Sequence, residues 1–389
     1  MKTKITELTN RYFNEIIAWR RHLHAHPELS NHEVETAKFV TQKLQSFGLT
    51  VQTQIAGNGV VALLQGDLPH SRCVALRADM DALPITEANQ VTYASKYPGI
   101  MHACGHDVHT ANLLGIAKIL SELKPFVEGT IKFIFQPSEE KIPSGAQAMI
   151  AAGVLKNPTP DAILGLHVSP EIEVGKIGFH AGKFMASSDE IYITVTGKGG
   201  HAAQLQQTIN PLFVAAEILL ALKQFSDATL PVVLNFGKIE GKGATNVIPD
   251  TVEIAGTLRC FDEQLRFQLH EKIKTTTTHI AAQSNAIGAV QILEGYPVLV
   301  NNETLTAHSQ QSIAQIIGAE NCINVPQRMG SEDFAYYSHQ IPACFLRLGV
   351  GNAAQGITAP IHTPNFNIDE TAFKTSVAAM VHWALHVEV

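Results

Sequence analysis

The chain has 389 residues, 45% hydrophobic and 16% charged, a composition that supplies an ample core and at this length favours two domains over one. Its 28 basic and 35 acidic side chains leave a formal charge of −7, which argues against a nucleic-acid footprint. No apolar run reaches the roughly 18–20 residues needed to span a bilayer, and the stretch from Met1 to Arg21 lacks the apolar core of a signal peptide, so residence in the cytoplasm is expected.

Ile5, Leu8, Ile16, Trp19 and Leu23 fall near helical spacing, and Val34, Ala37, Val40, Leu44 and Phe47 do so again until Gly48 stops the run. Short apolar runs at 60–64, 73–76 and 131–135 read as strands, with a helix predicted over about 110–123 between them. This alternation predicts an α/β fold whose sheet carries helices on both faces. Ligand-type residues follow the strand ends, at Arg77–Asp81, at Gln136–Glu140 and at His167 after the run 162–166. Open α/β sheets place their active sites there.

Near Ala186 the pattern changes. An alternating strand at 191–195 runs into Gly197-Lys198-Gly199-Gly200-His201. A helix at 211–225, strands at 232–237 and 252–258, a long helix at 262–284 and a strand at 290–293 complete a β-α-β-β-α-β-like block. The expected organisation is a discontinuous larger domain, 1–185 with 295–389, and a small α+β domain, 186–294, inserted into it. The chain ends in a helix over about 370–386.

Five segments between Met101 and Pro364 end on or contain metal-binding residue types: Met101-His102-Ala103-Cys104-Gly105-His106-Asp107, Phe135-Gln136-Pro137-Ser138-Glu139-Glu140, Leu166-His167-Val168, Met329-Gly330-Ser331-Glu332-Asp333 and Ile361-His362-Thr363-Pro364. Structural zinc sites take ligands in tight local pairs, whereas a catalytic centre gathers them from several loops and leaves coordination open. The scatter therefore points to an enzyme with a metal centre, a hydrolase. Of the five cysteines, an odd number without a Cys-X-X-Cys pair, only Cys104 sits among polar neighbours; the others read as buried small hydrophobes of a reducing compartment.

Thiolate and imidazole both suit zinc-like ions, and the spacing of Cys104 and His106 lets both reach one centre. Glu139 and Glu140, adjacent after a strand, would repel unless a cation screens them. One can bind metal while the other takes a proton from the attacking water. Asp79 and Asp81 are each a candidate ligand or a partner that orients a ligand imidazole. His102 and His109 are expected behind the ligands or facing solvent. His167 and His362 are lone histidines among 18, and only the joint pattern gives them weight.

MHACGHD, FQPSEE, the histidine of LHV, GKGGHAA, NVIPD, MGSEDFA and IHTPNF stand in the order found in the M20 metallopeptidases. The chain resembles in particular their aminoacylase, hippurate-hydrolase and auxin-conjugate-hydrolase-like branch. The resemblance runs from Arg20-Arg21-His22-Leu23-His24-Ala25-His26-Pro27-Glu28-Leu29 to the final helix. It implies a mixed-sheet, zinc-exopeptidase-like catalytic domain and an inserted ferredoxin-like lid through which the chain forms a homodimer. It implies Cys104, His106, Glu140, His167 and His362 as ligands of two divalent ions, with zinc, manganese, cobalt and nickel all compatible. Cys104 takes the place where more distant relatives use a bridging carboxylate. Glu139 would be the general base and Asp81 a supporting aspartate beside the metals.

In the lid, His201, Asn246 and Arg259 match positions that approach the active site, often from the partner subunit. A histidine can donate to the oxyanion of a tetrahedral intermediate, and Asn and Arg can grip a substrate carboxylate. Without the resemblance, Arg259 reads as a surface strand charge and Asn246 as a turn residue. One departure stands out: relatives commonly continue GGHAA with Pro-His, where this chain has Gln204-Leu205-Gln206-Gln207. The metal ligands are untouched by it.

The function implied is a metal-dependent amidohydrolase cleaving small N-acyl amino acids, the alternatives in the same chemistry being an N-acetyl-diaminopimelate deacetylase or a dipeptidase. A non-catalytic relative that only binds acyl amino acids or peptides would have lost the base or a ligand, yet Glu139, Glu140, Cys104 and His106 are all present.

Overall fold

The computed structural model describes residues 1–226 and 232–388, which form two compact units: Met1–Phe184 with Val300–Pro326 and Asp333–Val389, and Met185–Leu299 with Gln327–Glu332.

The first unit is built on an eight-stranded mixed sheet. Its centre is four parallel strands side by side, Glu128–Gln136, Leu68–Asp79, Ala162–Glu173 and Ala343–Gly351. Gly59–Gln65 and Thr50–Ile55 extend one side antiparallel, and Ile177–Phe179 and Cys322–Asn324 the other. Ala343–Gly351 is buried at every position, as a strand covered on both faces must be.

The two faces of the sheet differ in chemistry. Val74, Leu76 and Ala78, with Ile131, Phe133, Phe135, Leu164 and Leu166, join the main apolar core. Against it pack the helices Lys2–Ala25, His106–Glu122, Glu303–Ile317 and Ala372–His386. Side chains alternate along a strand, so Arg77, Asp79, Lys132, Gln136, His167 and Arg347 belong to the other face. There the short helices Gly145–Ala151 and Ala335–Ser338 pack on each other and on strands. Polar groups thus accumulate on one face, at the carboxyl ends of the parallel strands.

The helix predicted from 110 begins four residues earlier, at His106. Gly105, at φ 84°, turns the chain in the left-handed region, and the polar His106 and Asp107 form the first turn. Apolar periodicity cannot register such a start, although an acidic residue there suits the helix dipole. Where this helix crosses Lys2–Ala25, Gly115 allows the contact: a Cβ there would lie 2.5 Å from Ile16 Cδ1.

The second unit has a four-stranded antiparallel sheet in the order Val232–Glu240, Thr251–Cys260, Asp189–Thr196, Ile287–Glu294. Asp189–Thr196 alternates buried and exposed residues, so one face is covered. Ile191, Ile193 and Val195 pack there with Val214 and Ile218 of the helix Pro211–Leu222 and Leu269 and Ile273 of Glu263–Gln283. Both helices start at side-chain caps: Asn210 accepts from the Leu212 N–H, and Asp262 from that of Leu265. Among the described residues no helix is long and apolar enough to cross a membrane.

Candidate metal centre

Four segments of the first unit converge beyond the parallel strands. Cys104 and His106 flank Gly105, where a Cβ would strike Val168 Cγ2 at 2.5 Å. His167 comes from the polar face of Ala162–Glu173, and Glu139 and Glu140 from the loop after Glu128–Gln136. His362, at φ 60°, is held against the Cys104 loop by its N–H donating to the Ala103 carbonyl at 2.8 Å.

Cys104 Sγ lies 3.2 Å from both His167 Nε2 and His362 Nε2. Glu140 Oε1 is 3.3 Å from His362 Nε2 and 3.8 Å from His106 Nε2. Ligand atoms around one tetrahedral ion stand roughly 3.3–3.7 Å apart for these bond types. Two triads result, Cys104–His106–His167 and Cys104–Glu140–His362, each with its ligand atoms within 4.8 Å of one another, and they share the Cys104 sulfur. A carboxylate oxygen of Glu139 falls within the same distance of His106 and Glu140.

The groups behind the triads fix which imidazole nitrogens face inward. His106 Nδ1 donates to Asp81 Oδ1 at 3.1 Å and His167 Nδ1 to the Val168 carbonyl at 2.7 Å, so each turns Nε2 to the centre. The other Asp81 oxygen accepts from Ser30 Oγ at 2.7 Å and the Glu140 N–H at 3.0 Å. Asp81 therefore fastens both a histidine and a glutamate of the cluster.

Burial alone would push the His106 imidazole down, but Asp79, Asp81 and Glu140 outweigh it and raise its pKa to about 10. Burial, then Glu140 and Glu139, pushes the Cys104 thiol up. Burial, with Arg347 and His109 nearby, lowers His167. The field at the centre is negative and favours a cation. Among the described residues His106 Nε2 and Glu140 Oε1 are buried and make no hydrogen bond, a costly state for polar atoms. The thiolate, imidazole and carboxylate donors, and the sharing of one sulfur between two triads, fit a pair of divalent ions.

The model of Peptidase family M20/M25/M40 matches residues 75–386. The chain belongs to this family. It is 43% identical to an N-acyl-L-amino acid amidohydrolase of Geobacillus stearothermophilus over 304 residues, 77% of this chain and 81% of that one. It is 38% identical to an IAA-amino acid hydrolase of Arabidopsis thaliana, across 100% of this chain and 88% of the relative. Among solved structures it resembles a dinuclear metal binding peptidase from the M20 family of Bacillus subtilis, with a TM-score of 0.84 and 33% identity over 97% of this chain and 98% of that one. Its mixed α/β architecture is that of these M20 enzymes.

Not every candidate of this M20 chain joins the cluster. Asp79 is tied to Arg77 at 2.6 Å and to His109 Nδ1 at 2.6 Å. His109 Nε2 accepts the Val168 N–H at 3.0 Å, so both its nitrogens are engaged. Of the two placements expected for His102 and His109, behind the ligands or facing solvent, their burial rules out the second. Asp333, at the end of the MGSED segment, accepts from Arg77 Nη2 at 2.5 Å, Gln136 Nε2 at 2.6 Å and the Ala146 N–H at 3.0 Å. Arg77 also donates to Gln136 Oε1 at 2.9 Å.

This buried Arg77–Asp79–Asp333–Gln136 lattice ties together the strand ends next to the candidate ligands, and the sequence reading missed it. The available signal was a charged residue inside an apolar strand, Cys73-Val74-Ala75-Leu76-Arg77. His201, Asn246 and Arg259 lie in the second unit. His201 is exposed and pairs with Val247, next to the turn residue Asn246, whose carbonyl accepts the Ala202 N–H at 3.0 Å. Arg259, half-buried on Thr251–Cys260, donates to the Met329 carbonyl at 3.1 Å and to Ser331 Oγ at 3.3 Å.

Proposed function

We propose that this chain is a metal-dependent amidohydrolase that hydrolyses N-acyl amino acids with Glu139 as general base. The observation that carries this reading is the pair of triads sharing Cys104, with the Glu139 carboxylate beside them. Cys104, His106 and His167 would hold one ion, and Cys104, Glu140 and His362 the other. When bound, such ions lower the pKa of water and polarise a carbonyl oxygen.

Glu139 accepts the proton of the attacking water as the oxygen adds to the acyl carbon. It then delivers that proton to the amide nitrogen as the C–N bond breaks, so a free amine and a carboxylic acid leave. Asp81 holds His106 and the Glu140 backbone in register throughout. We assign His201 the donor to the oxyanion, and Asn246 and Arg259 the substrate carboxylate. The Arg259 assignment is supported by its bonding, among the described residues, to neutral acceptors and by burial that lowers its pKa with no described carboxylate raising it.

The second unit is assigned the lid and dimerisation roles, in a cytoplasmic homodimer. The helix Pro211–Leu222 supports this: it is buried at Val214 and Ile218 yet exposes Leu212, Phe213 and Leu220, an apolar surface of the kind that marks protein contacts. Light scattering of purified protein should return twice the 42.2 kDa chain mass.

The deciding experiment is amino-acid release from a panel of N-acetyl, N-benzoyl and dipeptide substrates. It is run on chelator-stripped protein with zinc, manganese, cobalt or nickel restored singly. Release that depends on added metal is expected. No release from any substrate at two ions per chain would sink the reading.

A further inference from the structure

Ser138, the residue before the proposed base, sits at φ 54°. Serine has no special tolerance for the left-handed region, which costs an L-residue other than glycine, asparagine or aspartate appreciably. Something must hold it there. Its carbonyl accepts the Gly145 N–H at 2.9 Å. Its own N–H donates to Glu33 Oε1 at 2.8 Å, and its hydroxyl reaches the same oxygen at 3.4 Å.

Glu33 is fully buried. Oε1 also accepts the Asn31 N–H at 3.0 Å, and Oε2 accepts from Asn58 Nδ2 at 3.1 Å. Every donor among the described residues is neutral. Glu33 stands at the N-cap of the helix Val34–Ser46, where a carboxylate is favoured, yet its side chain makes no capping bond. Glu28 serves that end instead, accepting the Glu35 N–H at 3.2 Å and the Thr36 N–H at 2.8 Å. The Glu33 carboxyl is thus turned away from its own helix and spent on the Ser138 peptide, more than a hundred residues along the chain.

We propose that Glu33 is a positioning residue for hydrolysis: its carboxyl clamps Ser138 in the left-handed conformation that sets Glu139 and Glu140 at the metal-ligand cluster. The inference rests on Glu139 being the base. A strained backbone over-determined by its surroundings is a common device next to reacting groups.

The test uses the full-length, metal-loaded protein and four variants: Glu33→Ala, Glu33→Gln, Ser138→Gly and the double Glu33→Ala/Ser138→Gly. Glu33→Gln keeps an acceptor oxygen for the Ser138 N–H and should retain kcat within about threefold. Glu33→Ala should lower kcat on the order of tenfold to a hundredfold, the range expected from a residue released from left-handed strain, with KM unchanged and bound metal at most partly lost, since Asp81 still holds the Glu140 N–H. Glycine enters the left-handed region freely, so Ser138→Gly alone should stay near wild type, and the double variant should recover about tenfold of the loss. A merely structural Glu33 gives no such recovery and overturns the proposal.

Hydrogen exchange of the peptide spanning 136–145 reads the clamp without substrate. Exchange at the Ser138 amide should rise at least about tenfold in Glu33→Ala. Unchanged exchange overturns the clamp even if kcat falls. Raised exchange in a chain whose wild type releases no amino acid leaves the clamp standing and removes the amidohydrolase reading instead.

Discussion

Two clusters of ionisable side chains in this molecule share imidazoles and carboxylates and balance them in opposite ways. In the second unit, Asp189 accepts from Arg266 Nε at 2.9 Å and Nη2 at 2.5 Å, from His270 Nε2 at 2.7 Å and from the Gly295 N–H at 3.2 Å. Arg266 turns its remaining nitrogen to Glu263 at 3.0 Å. Each buried charge there meets its opposite. In the first unit, a thiol, three imidazoles and a carboxylate bring ligand-type atoms to one place, and two of those atoms have no hydrogen bond among the described residues. The first arrangement is complete and holds a fold together. The second leaves donor atoms that a cation would satisfy, which is the property expected of a metal centre.

Substitutions should separate the two, and the largest effect belongs to the open cluster. Glu139→Gln keeps the shape and removes the proposed base, so kcat should fall roughly 10²–10⁴-fold with the same bound metal per chain by elemental analysis. Loss of metal along with activity would make Glu139 a ligand. In the closed cluster, Asp189→Asn leaves Arg266 buried beside a neutral amide. Stability should drop by about 3–5 kcal/mol at neutral pH, read by denaturant unfolding.

Its pH dependence has a definite sign. Burial would raise the Asp189 carboxyl, but hydrogen bonds from Arg266 and His270 outweigh it and hold it below the ordinary 3.8. The fold therefore prefers the ionised form. Its contribution is present above about pH 3.8 and lost as pH falls through the lower folded value. The gap between wild type and Asp189→Asn should be constant from about pH 5 to 7 and narrow below about pH 4; a gap that widens in acid contradicts the pairing. Cys104→Ala should do the reverse of Asp189→Asn. Chelator-treated protein should keep its stability within about 1 kcal/mol, while bound metal falls and the rise in melting temperature on adding metal disappears.

The same contrast explains what could be read from the sequence. Cys104 and His106, Glu139 and Glu140, and His362 announce themselves in short motifs because each loop brings its candidate ligand, or the proposed base, to one place. The alternating strands of the second unit were legible because one face is covered. The closed cluster was not, since Asp189, Arg266 and His270 are 77 and 81 residues apart and follow no local spacing. Arg77 with Asp333, 256 residues apart, and Glu33 with Ser138, 105 apart, were missed for the same reason. Partners chosen by tertiary packing leave no period in the chain. The early helix start at His106 was hidden because its first turn serves the cluster and is polar.

Arg259 and Arg266 extend the comparison to two arginines of the same unit. Burial works against both. In Arg266, Asp189 and Glu263 overcome it and raise the guanidinium pKa; in Arg259 burial stands alone and lowers it. A half-buried cation bonded to a carbonyl and a hydroxyl keeps capacity for an anion, and the free carboxylate of an N-acyl amino acid supplies one with matching fork geometry. Arg259→Ala should then raise KM for acyl amino acids roughly 10–100-fold, the worth of a charge-assisted hydrogen bond, with kcat little changed. KM for the corresponding acyl amino-acid amides should move by less than about threefold. Arg259→Lys should fall between, since it keeps the charge and loses the planar fork. Equal effects on acids and amides would mean that Arg259 only supports the Met329–Ser331 segment, and the carboxylate would have to be held elsewhere.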